Sequence, residues 1–316
     1  MLSKGEVVLL THLERRQNER PSVQEVAAEL GWSEGYASRT ISGLEAREFV
    51  RTERTGGRRV VSTIPVRPVE LLGSLASEFD HVDFPDLLAG SSLQILYYMD
   101  RPRTAAELTE ACGVGRTTVY RRLNALQRVG IVGKDHSHYE LNEPFSSLST
   151  VARSIAHHDH RREATRQTAG VTLIWESHDE CLFACDTAVS DPAFVRTGPA
   201  AFEAFDIPLL TRDRFHYVRS ERLATLTPAD LLCHTLLIDD GSRYRSYCLL
   251  LMTSRDVDRA MLTERAAYYD RTAAIDLQRL LTQLTRYLET NGAVTNDRLP
   301  AWDEFERTAA DYGITV

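Results

Sequence analysis

Two clusters of arginine and hydroxyl side chains in the N-terminal half have the chemistry needed to contact DNA. Arginine can donate two hydrogen bonds to one guanine, the threonine methyl group can contact thymine, and tyrosine or arginine can bind phosphate. The first cluster comprises Ser33, Tyr36, Ser38, Arg39, Arg51, Arg54, Arg58 and Arg59. The second cluster comprises Arg116, Thr117, Thr118, Tyr120, Arg121, Arg122 and Lys134. Both clusters are therefore candidate DNA-binding sites.

The two clusters lie in segments that repeat one pattern of elements. Residues 22–64 and 104–141 are each predicted to form a short helix, a glycine turn, a second helix and a two-stranded wing. A capping box at Thr104 begins the short helix of the second copy. Gly31 and Gly113 fall where each short helix ends, because a left-handed residue lets the chain turn sharply there. The pattern predicts two equivalent units.

Helical spacing indicates which side chains of each second helix face inward. The apolar residues that recur at this spacing, and that we expect in the core, are Ala37, Ile41 and Leu44 in the first copy and Val119, Leu123 and Leu126 in the second. The arginine and hydroxyl side chains occupy the remaining faces. We therefore expect them to be accessible to a partner.

This order of elements resembles the winged helix-turn-helix of transcription regulators. The first copy is similar to MarR-type regulators and the second to ArsR- or TrmB-type ones. The resemblance implies that the second helix of each copy lies in the major groove, while the wing arginines contact backbone or minor groove. Glu34 begins the first recognition helix, where those families usually have a neutral or basic residue. We expect the second copy to read bases and the first mainly to hold the backbone; the alternative is a protein-interaction winged helix.

The distribution of charge favours DNA binding although the net charge is −8. No acidic residue lies between Glu110 and Asp135, and this interval contains Arg116, Arg121, Arg122, Arg128 and Lys134. Glu53 is the acid that opposes the arginines of the first wing. A local basic face matters more for DNA binding than the total charge.

The pattern changes to that of an α/β domain from residue 170 onwards. Strands are predicted at 171–175 and 182–185, and helices at 199–205 and 228–238. Residues 247–252 form a buried strand or a buried helix, which periodicity does not distinguish. Apolar residues at helical spacing over 264–288 predict one long amphipathic helix. We expect this helix to mediate self-association, because its apolar face exceeds what a small sheet would cover.

Two short segments of this domain resemble abortive-infection antitoxins of the AbiEi family. They are residues 195–207, which contain Thr197-Gly198, and residues 226–237, which contain Thr227-Pro228. The resemblance implies a degenerate nucleotidyltransferase-like fold, repression of the protein's own promoter, and a toxin partner. A type IV toxin–antitoxin antitoxin is therefore the first alternative function.

A nucleotidyltransferase enzyme with DNA-targeting domains is the second alternative. Such an enzyme needs a Gly-Ser turn that holds phosphate and two carboxylates, one residue apart, that bind a metal pair. Gly241-Ser242 followed by Asp256 and Asp258 has this spacing. The two aspartates equally fit the acidic first turn of a helix, which is our preferred interpretation. We therefore predict no catalytic activity.

Composition excludes several further classes of protein. The five cysteines include no Cys-x-x-Cys pair, so neither a disulfide framework nor a zinc ribbon is predicted. His157, His158 and His160 are interpreted as solvated rather than metal-binding, and His234 as a core residue. We predict no metal and no cofactor. Because no segment approaches the roughly 18 apolar residues of a membrane helix, we expect a cytoplasmic location without membrane contact.

The sequence thus predicts an α+β protein in which two N-terminal winged helix-turn-helix domains precede an α/β nucleotidyltransferase-like domain that ends in a long amphipathic helix. The predicted limits are 1–68 for the first winged domain, 69–90 for a linker, 91–143 for the second winged domain, 144–169 for a helical spacer, 170–290 for the α/β domain and 291–316 for a peripheral tail. The predicted function is a sequence-specific, double-stranded DNA-binding transcription regulator. The C-terminal domain is expected to supply homodimerisation, or sensing of a small-molecule effector or a toxin partner.

Overall fold

The computed structural model describes residues 1–16, 19–209, 214–223, 225–294 and 296–316. The chain divides into two compact units, Met1–Arg162 and Glu163–Val316, which we call unit 1 and unit 2. Both units mix helices with small antiparallel sheets, so the chain belongs to the α+β class. Within the described ranges, each helix lacks either the length or the hydropathy that crossing a bilayer requires.

Unit 1 contains two similar groups of elements. Repeat A comprises α1 (Lys4–Glu14), α2 (Val23–Leu30), α3 (Glu34–Ala46), β1 (Val50–Thr55) and β2 (Arg58–Thr63). It is followed by α4 (Arg67–Glu78) and α5 (Phe84–Leu87). Repeat B comprises α6 (Ser91–Tyr97), β3 (Arg103–Thr104), α7 (Ala105–Cys112), α8 (Arg116–Arg128), β4 (Val132–Asp135) and β5 (His138–Leu141). The helix α9 (Ser147–Thr165) comes next, and the division between the units falls inside it.

The two repeats use the same local signals. Ser22 caps α2 and Thr104 caps α7, and in each case the carboxylate of the glutamate three residues later accepts a hydrogen bond from the backbone N–H of the capping residue. Gly31 and Gly113 then adopt left-handed conformations with φ of 64° and 65°. These predictions of the helix limits are confirmed. In repeat B the strand before α7 pairs with β5, and in repeat A Ser22 forms an isolated bridge with Val60 in β2.

The predicted linker 69–90 is wrong, because this segment is helical and buried. Val69, Leu72 and Leu75 on α4 lie in the same hydrophobic core as both repeats. Phe84 on α5 is 1% exposed in that core. Pro68 lies at the beginning of α4, where proline is tolerated because the first N–H groups of a helix have no partner within it. Unit 1 is therefore one body rather than two linked domains.

Unit 2 packs helices on a four-stranded antiparallel sheet. The strands are β6 (Thr172–Glu176), β7 (Cys181–Cys185), β8 (Phe194–Thr197) and β9 (Phe215–Arg219), in the spatial order β6-β7-β9-β8. A 3₁₀ helix at Pro199–Phe205 is followed by α10 (Pro228–Ile238), α11 (Ser242–Ser254), α12 (Arg259–Tyr269), α13 (Leu277–Glu289) and α14 (Trp302–Asp311). The undecided segment 247–252 is thus helical. The nucleotidyltransferase-like fold stays a prediction.

The single amphipathic helix predicted over 264–288 is wrong. Two helices, α12 and α13, occupy this segment, and Asp270 and Asp276 lie between them. The Asp270 carboxylate accepts hydrogen bonds from the backbone N–H groups of Leu277 and Gln278, at 2.7 and 3.1 Å. Asp276 caps α13 in turn. These bonds stabilise the start of a new helix, because its first N–H groups have no partner within the helix.

The apolar face that suggested self-association is covered inside unit 2. Leu277, Leu281, Leu284 and Tyr287 on α13 are each at most 3% exposed. The predicted peripheral tail is also wrong, because α14 buries Phe305, whose ring centroid lies 5.9 Å from that of Tyr287. The apolar face of α13, which the sequence predicts to contact a second copy of the chain, is therefore buried in the core of unit 2.

A chain of buried polar groups connects the sheet of unit 2 with α10 and α12. His234 is 0% exposed, and its Nδ1 and Nε2 lie 2.8 Å from Thr197 Oγ1 and 2.7 Å from the hydroxyl of Tyr269. The Tyr269 hydroxyl donates to Asp230 at 3.3 Å. The expectation that His234 is a core residue is confirmed. Burial lowers its pKa to about 4, so it is neutral at pH 7.

This burial predicts a loss of stability in acid. In the unfolded chain His234 titrates near its ordinary pKa of about 6.5, so the unfolded state takes up a proton below that pH while the folded state does not until about pH 4. Above pH 6.5 the neutral His234 costs the folded state nothing relative to the unfolded chain. As the pH drops from 6.5 to 4, the free energy of unfolding falls by about 3 kcal/mol on account of this residue. We expect His234→Gln to be less stable than the wild type at pH 7 and to lack this part of the pH dependence.

The measurement is urea unfolding between pH 7 and pH 4, followed by the fluorescence of Trp175 and Trp302 of unit 2 in a Trp32→Phe background. His136→Gln is the matched control, since the His136 side chain is 90% exposed in the wing of repeat B. If the free energy of unfolding depended on pH equally in the wild type and in His234→Gln, His234 would not be a buried histidine that stays neutral down to about pH 4.

Candidate nucleic-acid interface

The second helix of repeat B, α8, buries one face and exposes the opposite one. Val119, Leu123 and Leu126 are fully buried, as the sequence predicts. On the opposite face, exposed side chains recur at intervals of three or four residues; they are Thr117, Arg121, Asn124 and Arg128, which we call the α8 stripe. Guanidinium, amide and hydroxyl groups along one helix face are those that read base edges in the major groove.

Two members of the α8 stripe were missed among the predicted contact residues. Asn124 and Arg128 lie beyond the first turns of the helix, to which the prediction was restricted. The available signal was their helical spacing from Thr117 and Arg121, which puts all four on one face. Thr118, which was predicted, is half-buried. The geometry therefore extends the candidate surface along the whole length of α8.

Arg116 and Tyr120 form a pair at the start of α8. The guanidinium carbon of Arg116 lies 5.6 Å from the centre of the Tyr120 ring, and its Nη2 donates to the phenolic oxygen at 3.4 Å. This hydrogen bond and the arginine charge lower the pKa of the Tyr120 hydroxyl. Stacking on a ring restricts the guanidinium to few orientations, which favours directional contact with a base or phosphate.

The remaining predicted cations of repeat B differ in their availability. Arg122 is half-buried and its Nε donates to Ser91 Oγ on α6 at 3.1 Å. The Lys134 ammonium lies 5.2 Å from the ring centre of Tyr139 in the wing and is exposed. Arg121 has neither a hydrogen-bond nor an ion-pair partner among the described residues. Of these three cations, Arg121 is therefore the one whose charge is most available to a partner.

The equivalent helix of repeat A, α3, has the same faces with different side chains. It buries Ala37, Ile41 and Leu44. The positions that correspond to the α8 stripe are Gly35, Arg39, Ser42 and Ala46, and all four are exposed. Arg39 matches Arg121, but glycine and alanine replace a threonine and an arginine. Repeat A therefore offers fewer groups for base contacts than repeat B.

Ser33 and Tyr36 contribute to the fold of repeat A. The Ser33 side chain accepts a hydrogen bond from the Tyr36 backbone N–H at 3.3 Å and caps α3. The Tyr36 ring packs edge-on against Trp32 with centroids 4.8 Å apart, and its hydroxyl closely approaches Gly5 on α1. Ser38 is half-buried. Tyr36 remains 40% exposed, so it combines packing with an accessible edge.

An ion pair joins the first wing to α3. Arg59 in β2 forms an ion pair at 2.8 Å with Glu45 on α3. Hydrogen bonds from Thr52, together with the charge of Arg59, lower the pKa of Glu45. Arg59 must therefore give up a carboxylate before it can bind a phosphate.

The free charge of this wing lies at its tip. Glu53 lies 2.9 Å from Arg20 and 3.8 Å from Arg51, so part of the positive charge at the base of the wing is offset. Arg54 and Arg58 flank the glycine turn and are exposed. Neither has a hydrogen-bond or ion-pair partner within the described ranges. The tip is consequently the part of the first wing best suited to phosphate contact.

The alternative sites predicted from the sequence have other roles in the structure. Asp258 caps α12, since its carboxylate accepts from the Ala260 N–H at 2.8 Å, which agrees with the preferred interpretation. The solvated interpretation of the α9 histidines is wrong for two of them: His160 is buried and His158 stacks on Phe49. Within the described ranges no group of three or more potential ligands could hold a metal ion.

Comparisons with known proteins agree with the position of repeat B. Residues 87–133, from the end of α5 to the first residues of β4, match a helix-turn-helix domain family (HTH_20). This match supports a DNA-binding transcription regulator in general. Residues 191–314 in unit 2 match a family described as a C-terminal domain (HVO_2833_C), a description that states no activity. No curated protein and no solved structure matches the chain significantly.

The turn that ends α8 predicts a stability effect. Gly130 has φ of 73°, a conformation that costs an L residue about 1–2 kcal/mol. We expect Gly130→Ala to lower the free energy of unfolding of unit 1 by about 1 kcal/mol. Gly35→Ala is the control of opposite sign, because Gly35 lies in α3 and an added methyl group there meets only Arg39 at 3.7 Å.

Native-state hydrogen exchange of the α8 and α3 amides would measure both effects. Faster exchange of α8 in Gly130→Ala and unchanged or slower exchange of α3 in Gly35→Ala are expected. Unchanged exchange of α8 in Gly130→Ala would show that the left-handed turn is not required there.

Proposed function

We propose that the protein is a sequence-specific regulator of transcription that binds double-stranded DNA through tandem winged helix-turn-helix repeats. The α8 stripe carries this proposal. It places Thr117, Arg121, Asn124 and Arg128 on one exposed face of the helix that follows the glycine turn. The helix-turn-helix match covers that same helix. In such a fold the second helix enters the major groove.

Repeat B reads bases in this proposal. Arg121 can bind guanine and Asn124 can bind adenine, each through two hydrogen bonds, while Thr117 offers a methyl group to thymine. Arg116, oriented by Tyr120, and Lys134 in the wing bind phosphates on either side. Repeat A mainly holds the backbone through the arginines of its wing tip, because its recognition helix has few groups that distinguish bases. Arg39 is the side chain of that helix that can bind a guanine.

Unit 2 senses an effector or a partner in this proposal and has no catalytic role. The groove between α12 and α13 suits a small molecule: it has a cavity volume of about 280 Å³, an apolar floor that includes Leu262 and Leu281, and Arg259 and Arg286 at its rim. We do not extend the proposal to a homodimer, because the apolar face of α13 that suggested one is buried. The antitoxin alternative has no further support, since neither family match names an antitoxin.

Substitution of Arg121 tests the proposal. We expect Arg121→Ala to weaken binding to a selected duplex by about 1–3 kcal/mol, because one guanidinium contact in the groove is lost. If Arg121 reads a base, the variant also loses its preference at one position of the site. If it binds phosphate instead, the slope of log affinity against log salt falls by about 1 with no change in preference. Either loss places α8 on the DNA.

The measurement is fluorescence anisotropy over a series of salt concentrations, after selection of duplexes from a randomised library. Arg307→Ala is the matched control, because it removes the same charge from an exposed position on α14 of unit 2. Equal effects of the two substitutions, or no effect of Arg121→Ala, would remove α8 from the interface.

A further inference from the structure

The two repeats of unit 1 are held together directly at their N-terminal ends. The backbone N–H of Gly90, which precedes α6 of repeat B, donates to the carbonyl of Leu2 in front of α1 at 2.9 Å. Lys4 on α1 forms an ion pair with Asp86 on α5. Leu2 is 1% exposed, so the backbone contact lies against the core, whereas the ion pair is on the surface.

The helix α9 forms hydrogen bonds and ion pairs with both repeats. Near its middle, Arg153 donates to the carbonyl of Tyr97 at 3.0 Å and pairs with Asp100 at 2.9 Å, both in or next to repeat B. Further along, Asp159 binds the guanidinium of Arg47 at the end of α3, with a shortest distance of 2.6 Å. Asp159 lies six positions after Arg153 in the helix, a rise of about 9 Å along its axis. A short, stiff element therefore contacts both repeats.

A second contact strengthens the attachment of α9 to repeat A. The His158 ring stacks on Phe49 with centroids 4.6 Å apart, and its Nε2 lies 2.8 Å from the carbonyl oxygen of Arg47. Arg47 also lies 3.6 Å from Glu6 on α1 and 5.0 Å above the Phe49 ring. These groups are largely shielded from solvent, so their interactions are screened less than surface ion pairs.

The helix between the repeats leaves no free linker. Gly73 on α4 approaches α1 so closely that an added β-carbon would lie 2.6 Å from the Glu14 side chain. Val69 and Leu72 of α4 are buried in the core shared by the repeats. Separation of the repeats would therefore expose the core, at about 1.5–3 kcal/mol for each large apolar side chain. The two recognition helices keep one relative position.

We infer that a single chain binds one composite duplex site, made of two unlike half-sites at one fixed spacing. This inference rests on the proposed function of unit 1. A twofold dimer presents two copies of the same recognition helix and selects a palindrome. One chain of this protein presents α3 and α8, whose exposed stripes carry different side chains. Its preferred site is asymmetric, with several base contacts under α8 and a single one, from Arg39, under α3.

Changes in spacing test the rigidity of this arrangement. Starting from a duplex selected by the full chain, about 5 or about 10 base pairs are inserted between the two halves, which rotates the second half by half a turn or one full turn. A rigid body cannot follow either displacement, so with each insertion Arg39 loses its base, and the affinity is expected to fall about 10-fold, the value of one base contact. A flexible connection would tolerate the full turn better than the half turn.

Matched substitutions show which repeat remains bound. On the selected duplex, Arg39→Ala in α3 and Arg121→Ala in α8 should both weaken binding. On the duplex with the full-turn insertion, only Arg121→Ala should do so, because Arg39 then faces inserted bases instead of the selected one. Arg307→Ala in unit 2 serves as the control on both duplexes. Sedimentation of the complex should give one chain per selected duplex.

Four results would overturn the inference. They are retained affinity after the full-turn insertion, no effect of any insertion, two chains on a palindromic site, or equal responses to Arg39→Ala on both duplexes. Each of these leaves α8 as a DNA-reading helix and the proposed function intact. Failure to select any preferred duplex would instead overturn the proposed function together with the inference.

Discussion

The burial of three apolar side chains on each recognition helix is the constraint on which the candidate interface depends. Because an α-helix turns by a fixed angle per residue, placing Val119, Leu123 and Leu126 in the core determines where every other side chain of α8 points. Rolling the helix would expose those three at about 1.5–3 kcal/mol each. A base contact is worth about 1–3 kcal/mol. In the proposed complex, the face of α8 that meets DNA is therefore the one that packing in the core leaves exposed.

The same constraint acts on both repeats, yet the surfaces that it exposes are chemically unequal. In repeat A the ion pair between Arg59 and Glu45 joins the wing to α3, so that arginine already has a partner. Exchange of a carboxylate for a phosphate yields less than the capture of a phosphate by an unpaired cation such as Arg121. The carboxylate of Glu45, once uncovered, would also repel the DNA backbone. The two repeats thus share their packing and expose different side chains.

Features encoded within a few residues could be predicted from the sequence, whereas those that depend on distant packing could not. The capping box at Thr104 and the left-handed Gly113 act locally, so the limits of α7 follow from the sequence. Asp270 lies where one helix ends, and its carboxylate accepts hydrogen bonds from N–H groups seven and eight residues later, at the start of the next helix. The apolar residues continue at helical spacing across this break, so the sequence pattern does not reveal it. The amphipathic period of α13 correctly indicates that a face is buried. It does not indicate what covers that face, and here the cover includes Phe305 from the segment predicted to be a tail.

An acidic chain can still bind a polyanion because electrostatic interactions act locally. At physiological ionic strength exposed charges more than about 8 Å apart are largely screened, so the net charge of −8 does not by itself determine the potential at α8. Close to the helix, Arg116, Arg121, Arg128 and Lys134 are exposed without an intervening acid between Glu110 and Asp135. Lower salt lengthens the screening distance and lets the remaining acids oppose binding, while it also strengthens each phosphate contact. For the proposed complex we therefore expect a salt dependence that reflects the number of phosphates neutralised less this repulsion, and that is shallower than a count of cations alone implies.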